Sequence, residues 1–419
     1  MEIRRDIYLE ALKARMHNSM IKVVTGIRRC GKSYLLFRLF YDWLRETGVS
    51  ENHIIRIELD RRENASLREP DSILEYIKSM MNDDSEYYIL LDEIQMLRSF
   101  EEVLNSLLHY KNVDVYVTGS NSRFLSKDVI TEFRGRGDEV HLFPLSFSEF
   151  MQAYDGDVYH GWAEYTLYGG LPLVSTMPTD GQKASYLTHL FSEVYMKDII
   201  DRNGIEKTQE LDDLLNVLSS SVGSLTNVSR IHSTFESVLH SKISQNTVRQ
   251  YIEYLEDAFV VSSANRYDVK GRRYIGSPLK YYFEDVGLRN ARIGFRQTEE
   301  NHIMENILYN ELRLRGFSVD VGMVEERSKT PEGVFEKRKL EVDFVANLGS
   351  RRYYIQSAFS IPSEEKRKQE IASLVRINDS FKKIVIVKDV VKPTMDDNGI
   401  MTINIYDFLL DGRSLEVSF

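Results

Sequence analysis

The sequence predicts an α/β chain with a parallel sheet at its N-terminal end and an α+β domain at its C-terminal end, and three observations predict it. The apolar strand Lys22-Val23-Val24-Thr25 runs into a glycine turn and then into helix spacing from Tyr34 to Arg45. Two further apolar runs, Tyr87 to Asp92 and Val113 to Thr118, end in polar residues, as strands buried on both faces of a parallel sheet do. Beyond about residue 281 the pattern changes to a helix at 300–315 among strands at 339–346, 353–359 and 383–388.

The first turn carries chemistry. Gly26-x-x-x-x-Gly31-Lys32-Ser33 stands between a strand and a helix, and so meets the P-loop pattern in the context that pattern needs. The N–H groups of such a loop, with the positive end of the following helix, converge on phosphate oxygens. The expected phosphate-binding residues are Gly26, Ile27, Arg28, Arg29, Cys30, Gly31, Lys32, Ser33 and Tyr34. Lys32 would reach the β and γ phosphates, and the Ser33 hydroxyl would help hold Mg²⁺, so ATP and Mg²⁺ are the expected cofactors. Cys30, the single cysteine, reads either as a thiol made acidic by Arg28, Arg29 and Lys32 or as an inert small residue filling the turn. Helix spacing over 5–17 precedes the strand, and Tyr8 or Leu12 reads as adenine lining or as core.

The strand Tyr87 to Asp92 delivers Asp92 and Glu93 at the edge where parallel sheets bind ligands. Asp92 would hold the metal with Ser33, and Glu93 would deprotonate the attacking water. The strand from Val113 ends in Gly119-Ser120-Asn121, where Asn121, or Ser120 beside it, would touch the γ-phosphate or the water. Phe133-Arg134-Gly135-Arg136-Gly137-Asp138 precedes the last core strand. An arginine there, Arg136 before Arg134, would stabilise the transition state of a neighbouring copy in a homo-oligomer.

Residues 147–207 read as helices that form a lid, with a stop at Arg202-Asn203-Gly204. Residues 208–278 read as three helices and a basic hairpin, a winged helix. Its recognition helix, capped by Ser244, would present Gln245, Asn246, Thr247, Arg249 and Gln250 to DNA, and Lys270, Arg272 and Arg273 would form the wing tip. Seven Lys or Arg against five Asp or Glu over 226–275 leave a protein partner as the other reading. In the last segment, 279–419, Glu305 on a helix and Asp343 on a strand stand where restriction-type nucleases place metal-binding carboxylates. The third position reads Gln356-Ser357-Ala358, an amide without the lysine, which predicts a nuclease-like fold lacking the chemistry.

At 419 residues the chain holds two to four domains, and the first ends at about residue 146. A net charge of −10 excludes a protein that coats nucleic acid over its whole surface, although a local basic face survives it. One cysteine excludes a disulfide framework and a cysteine metal cluster. The N-terminus lacks a signal-peptide core, and no run of about 18 apolar residues occurs, so no membrane is expected and the location reads as cytoplasmic.

Taken as a set, several stretches resemble the prokaryotic ATP-binding proteins that join an AAA-type ATPase domain to a C-terminal domain of unknown function. They are Val24 to Ser33, Leu91-Asp92-Glu93-Ile94-Gln95, Thr118 to Asn121, Phe143 to Phe147, Tyr168 to Pro172, Tyr254 to Phe259, Val342 to Ala346 and Tyr354-Ile355-Gln356. The resemblance is nearly end to end. It implies an ASCE-type ATPase core, a winged helix and a restriction-nuclease-like C-terminal domain, and it leaves the biological role open. The leading expectation is a Mg²⁺-dependent ATPase that couples hydrolysis to rearrangement of the later domains on DNA or a protein. The alternatives are a slow nucleotide switch or scaffold and an ATP-gated DNA nuclease.

Overall fold

A computed structural model describes residues 3–119, 136–241, 243–296, 299–329 and 335–416. Contacts divide the chain into two compact units, residues 1–144 with 257–259, and residues 145–256 with 260–419.

The first unit is built on five parallel strands: β1 (Ile21–Thr25), β2 (Ile54–Glu58), β3 (Tyr87–Asp92), β4 (Val113–Thr118) and β5 (Gly137–His141). Their order is β2-β3-β4-β1-β5, so β4 lies between the strand that enters the glycine loop and the strand that carries the paired acids. All six residues of β3 are buried, which is why that run shows no polar alternation. Register aligns the ends that matter, with Val24 opposite Thr118 and Leu91 opposite Val117. Helix α1 (Asp6–Lys13) precedes β1, and α2 (Lys32–Tyr34) starts at the loop, passes through a π-helical segment at Leu35–Phe40 and resumes as α3 (Tyr41–Glu46). Helices α4 (Pro70–Met80) and α5 (Phe100–Leu107) turn Ile73, Ile77, Val103, Leu104 and Leu107 onto the core that Ile55, Ile57, Ile89 and Leu91 line from the sheet.

The second unit holds a mixed eight-stranded sheet. Its strands are β6 (Val261–Asp268), β7 (Arg273–Phe283), β8 (Ser318–Lys329), β9 (Phe335–Leu348), β10 (Arg351–Ala358), β11 (Lys382–Val387), β12 (Thr394–Met395) and β13 (Ile400–Asn404). The order is β12-β13-β11-β10-β9-β8-β6-β7. The three helices expected before the hairpin form at Thr208–Ser220, Val228–Ser237 and Gln245–Asp257. The hairpin does not stand apart with them. Strand β6 pairs in parallel with β8 through Arg266 to Asp268, and β7 runs on through residue 278, so the basic turn belongs to the sheet of the C-terminal segment. Non-local strand pairing of this kind leaves no mark in local periodicity.

The helical stretch after residue 147 also packs within the second unit. The Asp285 carboxylate accepts the Gly170 N–H at 2.7 Å, and Asn290 Nδ2 donates to the carbonyls of Thr166 and Leu167, each at 2.9 Å. A Cβ at Gly287 would lie 2.0 Å from the Tyr168 carbonyl oxygen, so the absence of a side chain lets the two backbones meet.

Candidate functional site

The loop after β1 is shaped by its glycines. Gly26 has φ +134°, and a Cβ there would lie 2.1 Å from the Leu142 carbonyl oxygen, so no other residue fits. Arg29 and Gly31 also have positive φ, and Gly31 leads into α2. Lys32 opens that helix and is 5% exposed. Its Nζ donates to the carbonyls of Gly26 at 3.0 Å and Ile27 at 3.1 Å, so the ammonium lies inside the loop's own arc. Ser33, Tyr34 and Arg29 are exposed, Arg28 is half-buried, and Ile27 and Cys30 are buried. Full burial of the Cys30 thiol fits the reading of an inert filler.

Helix α1 pins the loop from behind. Buried Arg5 donates to the Cys30 carbonyl at 3.2 Å and to the Phe143 carbonyl at 2.7 Å, with its guanidinium 4.6 Å from the Tyr8 ring centroid. Tyr8 accepts the Phe143 N–H at 3.1 Å, and Tyr8 and Leu12 are both buried, which makes them core of the first unit.

The paired acids leave β3 beside the end of β4. Asp92 is 4% exposed, and the Thr118 hydroxyl donates to its Oδ1. The same Thr118 oxygen accepts the Glu93 N–H at 3.0 Å, so one side chain fixes both acids. Glu93 has φ +51°, a left-handed conformation that non-glycine residues adopt uncommonly and that turns its side chain off the strand line. Gln95 Nε2 donates to Glu93 Oε2, while Gln95 Oε1 is buried without a hydrogen-bond partner. The end of β4 is tied to the loop strand through the Gly119 N–H and the Val24 carbonyl, at 3.1 Å.

The loop and the acids therefore meet across β4, about 10 Å apart at the usual strand spacing. A hydroxyl at Ser33 and a carboxylate at Asp92, completed by phosphate oxygens and water, are the hard oxygen donors that Mg²⁺ takes. Among the described residues, no group of three or more His, Cys, Asp or Glu side chains is arranged to hold a metal ion. A metal here would thus depend on the nucleotide for much of its shell.

Sequence reasoning missed Thr118 and Gln95. A threonine ending a strand looks like any other, and only the neighbouring positions of β3 and β4 give it a role. It also missed Thr25, whose hydroxyl donates to Glu139 at 2.6 Å and lies 3.0 Å from His141 Nδ1 at the end of β5. Arg136 is exposed at the other end of the sheet, where its carbonyl accepts the Ile21 N–H at 2.8 Å, about 16 Å of strand from its own loop. Ser120, Asn121 and Arg134 lie outside the described residues.

The helix Gln245–Asp257 buries Val248, Tyr251, Ile252 and Leu255 and exposes Gln245, Asn246, Arg249 and Gln250, with Thr247 partly covered. Ser244 accepts the Thr247 N–H at 3.1 Å, the expected cap. Arg272 and Arg273 are exposed in and after the hairpin turn, and Lys270 Nζ donates to the Glu325 carbonyl at 3.2 Å.

The second unit also gathers the nuclease-like positions. Lys280 of β7, 3% exposed, places Nζ 2.7 Å from Glu305, 2.7 Å from Glu341 and 3.8 Å from Asp343. Tyr282 donates to Glu305 at 2.6 Å, and Asp343 accepts the Ser357 N–H at 2.8 Å. A lysine is therefore present among these carboxylates, supplied by β7 and not by the Gln356-Ser357-Ala358 strand where the sequence pattern looks for it. Burial opposes the Lys280 charge, but Glu305, Asp343 and Glu341 outweigh burial and hold it above the ordinary lysine value. Burial, with Glu305 alongside, pushes the Asp343 carboxyl well up against the pull of Lys280, because one ammonium serves three carboxylates.

Comparison with known proteins follows these two centres. An AAA domain model matches residues 18–151, and a domain of unknown function, DUF8612, matches 159–299. An uncharacterized protein of Haemophilus influenzae is 33% identical over 97% of this chain and 98% of its own length. An uncharacterized protein of Methanocaldococcus jannaschii is 26% identical over 97% of this chain and 88% of its own. Among solved structures, the Orc1 protein of Aeropyrum pernix in complex with DNA is 14% identical over 70% of this chain and 92% of that one, at a TM-score of 0.29. No described helix is long and apolar enough to cross a membrane. On its near end-to-end identity the chain belongs to the family of the Haemophilus protein, with an AAA domain followed by a domain of unknown function.

Proposed function

We propose that the first unit is a Mg²⁺-dependent ATPase that cleaves the β–γ bond. The observation that supports this is that Thr118 holds Asp92 and Glu93 at the end of β4, which is bonded to the loop strand through Gly119 and Val24, so that a phosphate cradle would stand beside a metal ligand and a base. The loop amides and Lys32 would bind the phosphates once the ammonium leaves the Gly26 and Ile27 carbonyls for them. Ser33 and Asp92 would hold Mg²⁺, which would supply neutralisation of the phosphate charge. Glu93 would take the proton from the attacking water, and Asn121 would sense the γ-phosphate. Arg136, remote from its own loop, would serve a neighbouring copy.

Lys32→Ala should abolish ATP binding. Glu93→Gln should bind ATP and hydrolyse it very slowly. Wild-type turnover in Glu93→Gln would show the base to be another group.

The three helices of residues 208–257 would meet DNA through the exposed side chains of the third, as in a winged helix whose hairpin is held on the C-terminal sheet, and residues 279–419 would form a nuclease-like domain without cleavage activity. ATP turnover would drive their rearrangement. A slow nucleotide switch is the second reading, favoured by the hydrogen bond with which Gln95 occupies the base. Turnover unchanged by duplex DNA, single-stranded DNA or proteins would support the switch over the motor. Metal-dependent DNA cleavage lost in Asp343→Ala would restore the nuclease reading.

A further inference from the structure

A cleft of about 740 Å³ in the second unit is lined by the turn of the β6–β7 hairpin, the turn between β9 and β10, and the segment ahead of β11. Four cations face it, Lys270, Arg272, Arg351 and Arg352, against one acid, Asp379. That acid is already engaged, since Asp379 Oδ2 accepts the Tyr354 hydroxyl at 2.7 Å and Oδ1 accepts the Phe381 N–H at 3.2 Å. In a chain of net charge −10 such a local excess of positive charge is a departure that calls for a counter-charge.

The cations are not equivalent. Arg352 is fixed between two rings, its guanidinium carbon 5.3 Å from the Tyr267 centroid and 5.4 Å from the Phe381 centroid, and it donates to Asn347 at 2.7 Å. Arg351 pairs with Glu416 at 2.8 Å at the exposed edge, where such a pair holds little energy and exchanges readily. Lys270 and Arg272 are exposed, and Lys270 donates only to a backbone carbonyl in the structure's hydrogen bonds, that of Glu325. Phe381 is 38% exposed, so an aromatic face stands beside the charges.

We infer that this cleft binds single-stranded nucleic acid, with Lys270, Arg272 and Arg351 on the phosphates and a base stacked against Phe381. A duplex offers phosphates but keeps its bases stacked on one another, whereas a single strand satisfies both the cations and the exposed ring. The inference extends the proposed nucleic-acid role of the second unit by adding the sheet turns as a separate contact for a single strand. It does not depend on ATP hydrolysis.

The test is fluorescence anisotropy of a labelled oligothymidylate with the full-length protein in the absence of nucleotide. The wild type should bind the single strand more tightly than a duplex of equal length. Lys270→Ala, Arg272→Ala and Arg351→Ala together should weaken binding at least about tenfold and lower the salt slope by about 2, at roughly 0.7 per lost charge. Phe381→Ala should weaken binding about tenfold with the salt slope unchanged. Lys368→Ala, at an exposed cation on the helix Glu364–Val375 outside the cleft lining, should stay within about twofold of wild type. Arg272→Glu alone, at an exposed turn, keeps the test readable if the triple variant melts early. A triple variant that binds like wild type, tighter binding of duplex, loss confined to the helix variant, or no binding by the wild type overturns the inference. Because ATP is absent, none of those outcomes bears on the hydrolysis reading.

Discussion

Gln95 is two residues beyond the proposed base and was visible in the sequence only as part of a resemblance. Its amide donates to Glu93 while its own oxygen is buried without a partner. An unsatisfied buried acceptor costs on the order of 1–3 kcal/mol, and positions that bear such a cost tend to be functional. If Glu93 is the base, Gln95 would be a positioning residue for it. In Gln95→Ala, steady-state assays should show kcat lowered about tenfold and KM for ATP little changed, the pattern of a group that acts on the reacting step. A raised KM with kcat intact would mean that the amide serves binding instead. Lys280 has a different task. It is a buried cation among Glu305, Glu341 and Asp343, and removing such a partner leaves carboxylates unpaired. Lys280→Met should cost about 3–5 kcal/mol in urea unfolding. An unchanged midpoint would mean that those acids are neutral without it.

At the level of elements, the strands of the first unit were readable because burial on both faces writes an unbroken apolar run, as Tyr87 to Asp92 shows. The loop was readable because glycine spacing records backbone conformation, and Gly26 has no alternative. What joined distant segments was not readable. The parallel pairing of β6 with β8 and the arrival of Lys280 from β7 are set by sheet order, which periodicity does not encode. The role of Thr118 depended in the same way on β4 lying beside β3. Asp285 is another long-range joint, capping the helix Val286–Arg292 through the Leu288 N–H at 3.0 Å while holding Gly170. Burial pushes its carboxyl up to about 6, above the ordinary 3.8. The folded state thus binds this proton more tightly than the unfolded chain does. The stability the group contributes is full below about 3.8 and is lost as pH rises through about 6. Thermal unfolding of wild type against Asp285→Asn at pH 5 and pH 7 should therefore show a larger deficit for the variant at pH 5. An equal deficit at both values would leave only the cap.

On the scale of the whole molecule, contacts divide the chain into two units. The first unit holds a phosphate loop and its acids on one sheet. The second holds three carboxylates around one lysine and a basic cleft on another, with no described helix able to cross a membrane. In a chain that is acidic overall, the cations at the β6–β7 and β9–β10 turns would hold a polymer locally and not wrap it. The family places an AAA domain ahead of a domain of unknown function, so the hydrolytic claim is the one on which the remaining proposals about coupling depend. The most direct measurement is parallel ATP binding and single-turnover hydrolysis in wild type, Lys32→Ala and Glu93→Gln. The account predicts that Lys32→Ala fails to bind, and that Glu93→Gln binds as wild type does but hydrolyses at least about a hundredfold more slowly. Hydrolysis by Glu93→Gln at the wild-type rate would contradict it.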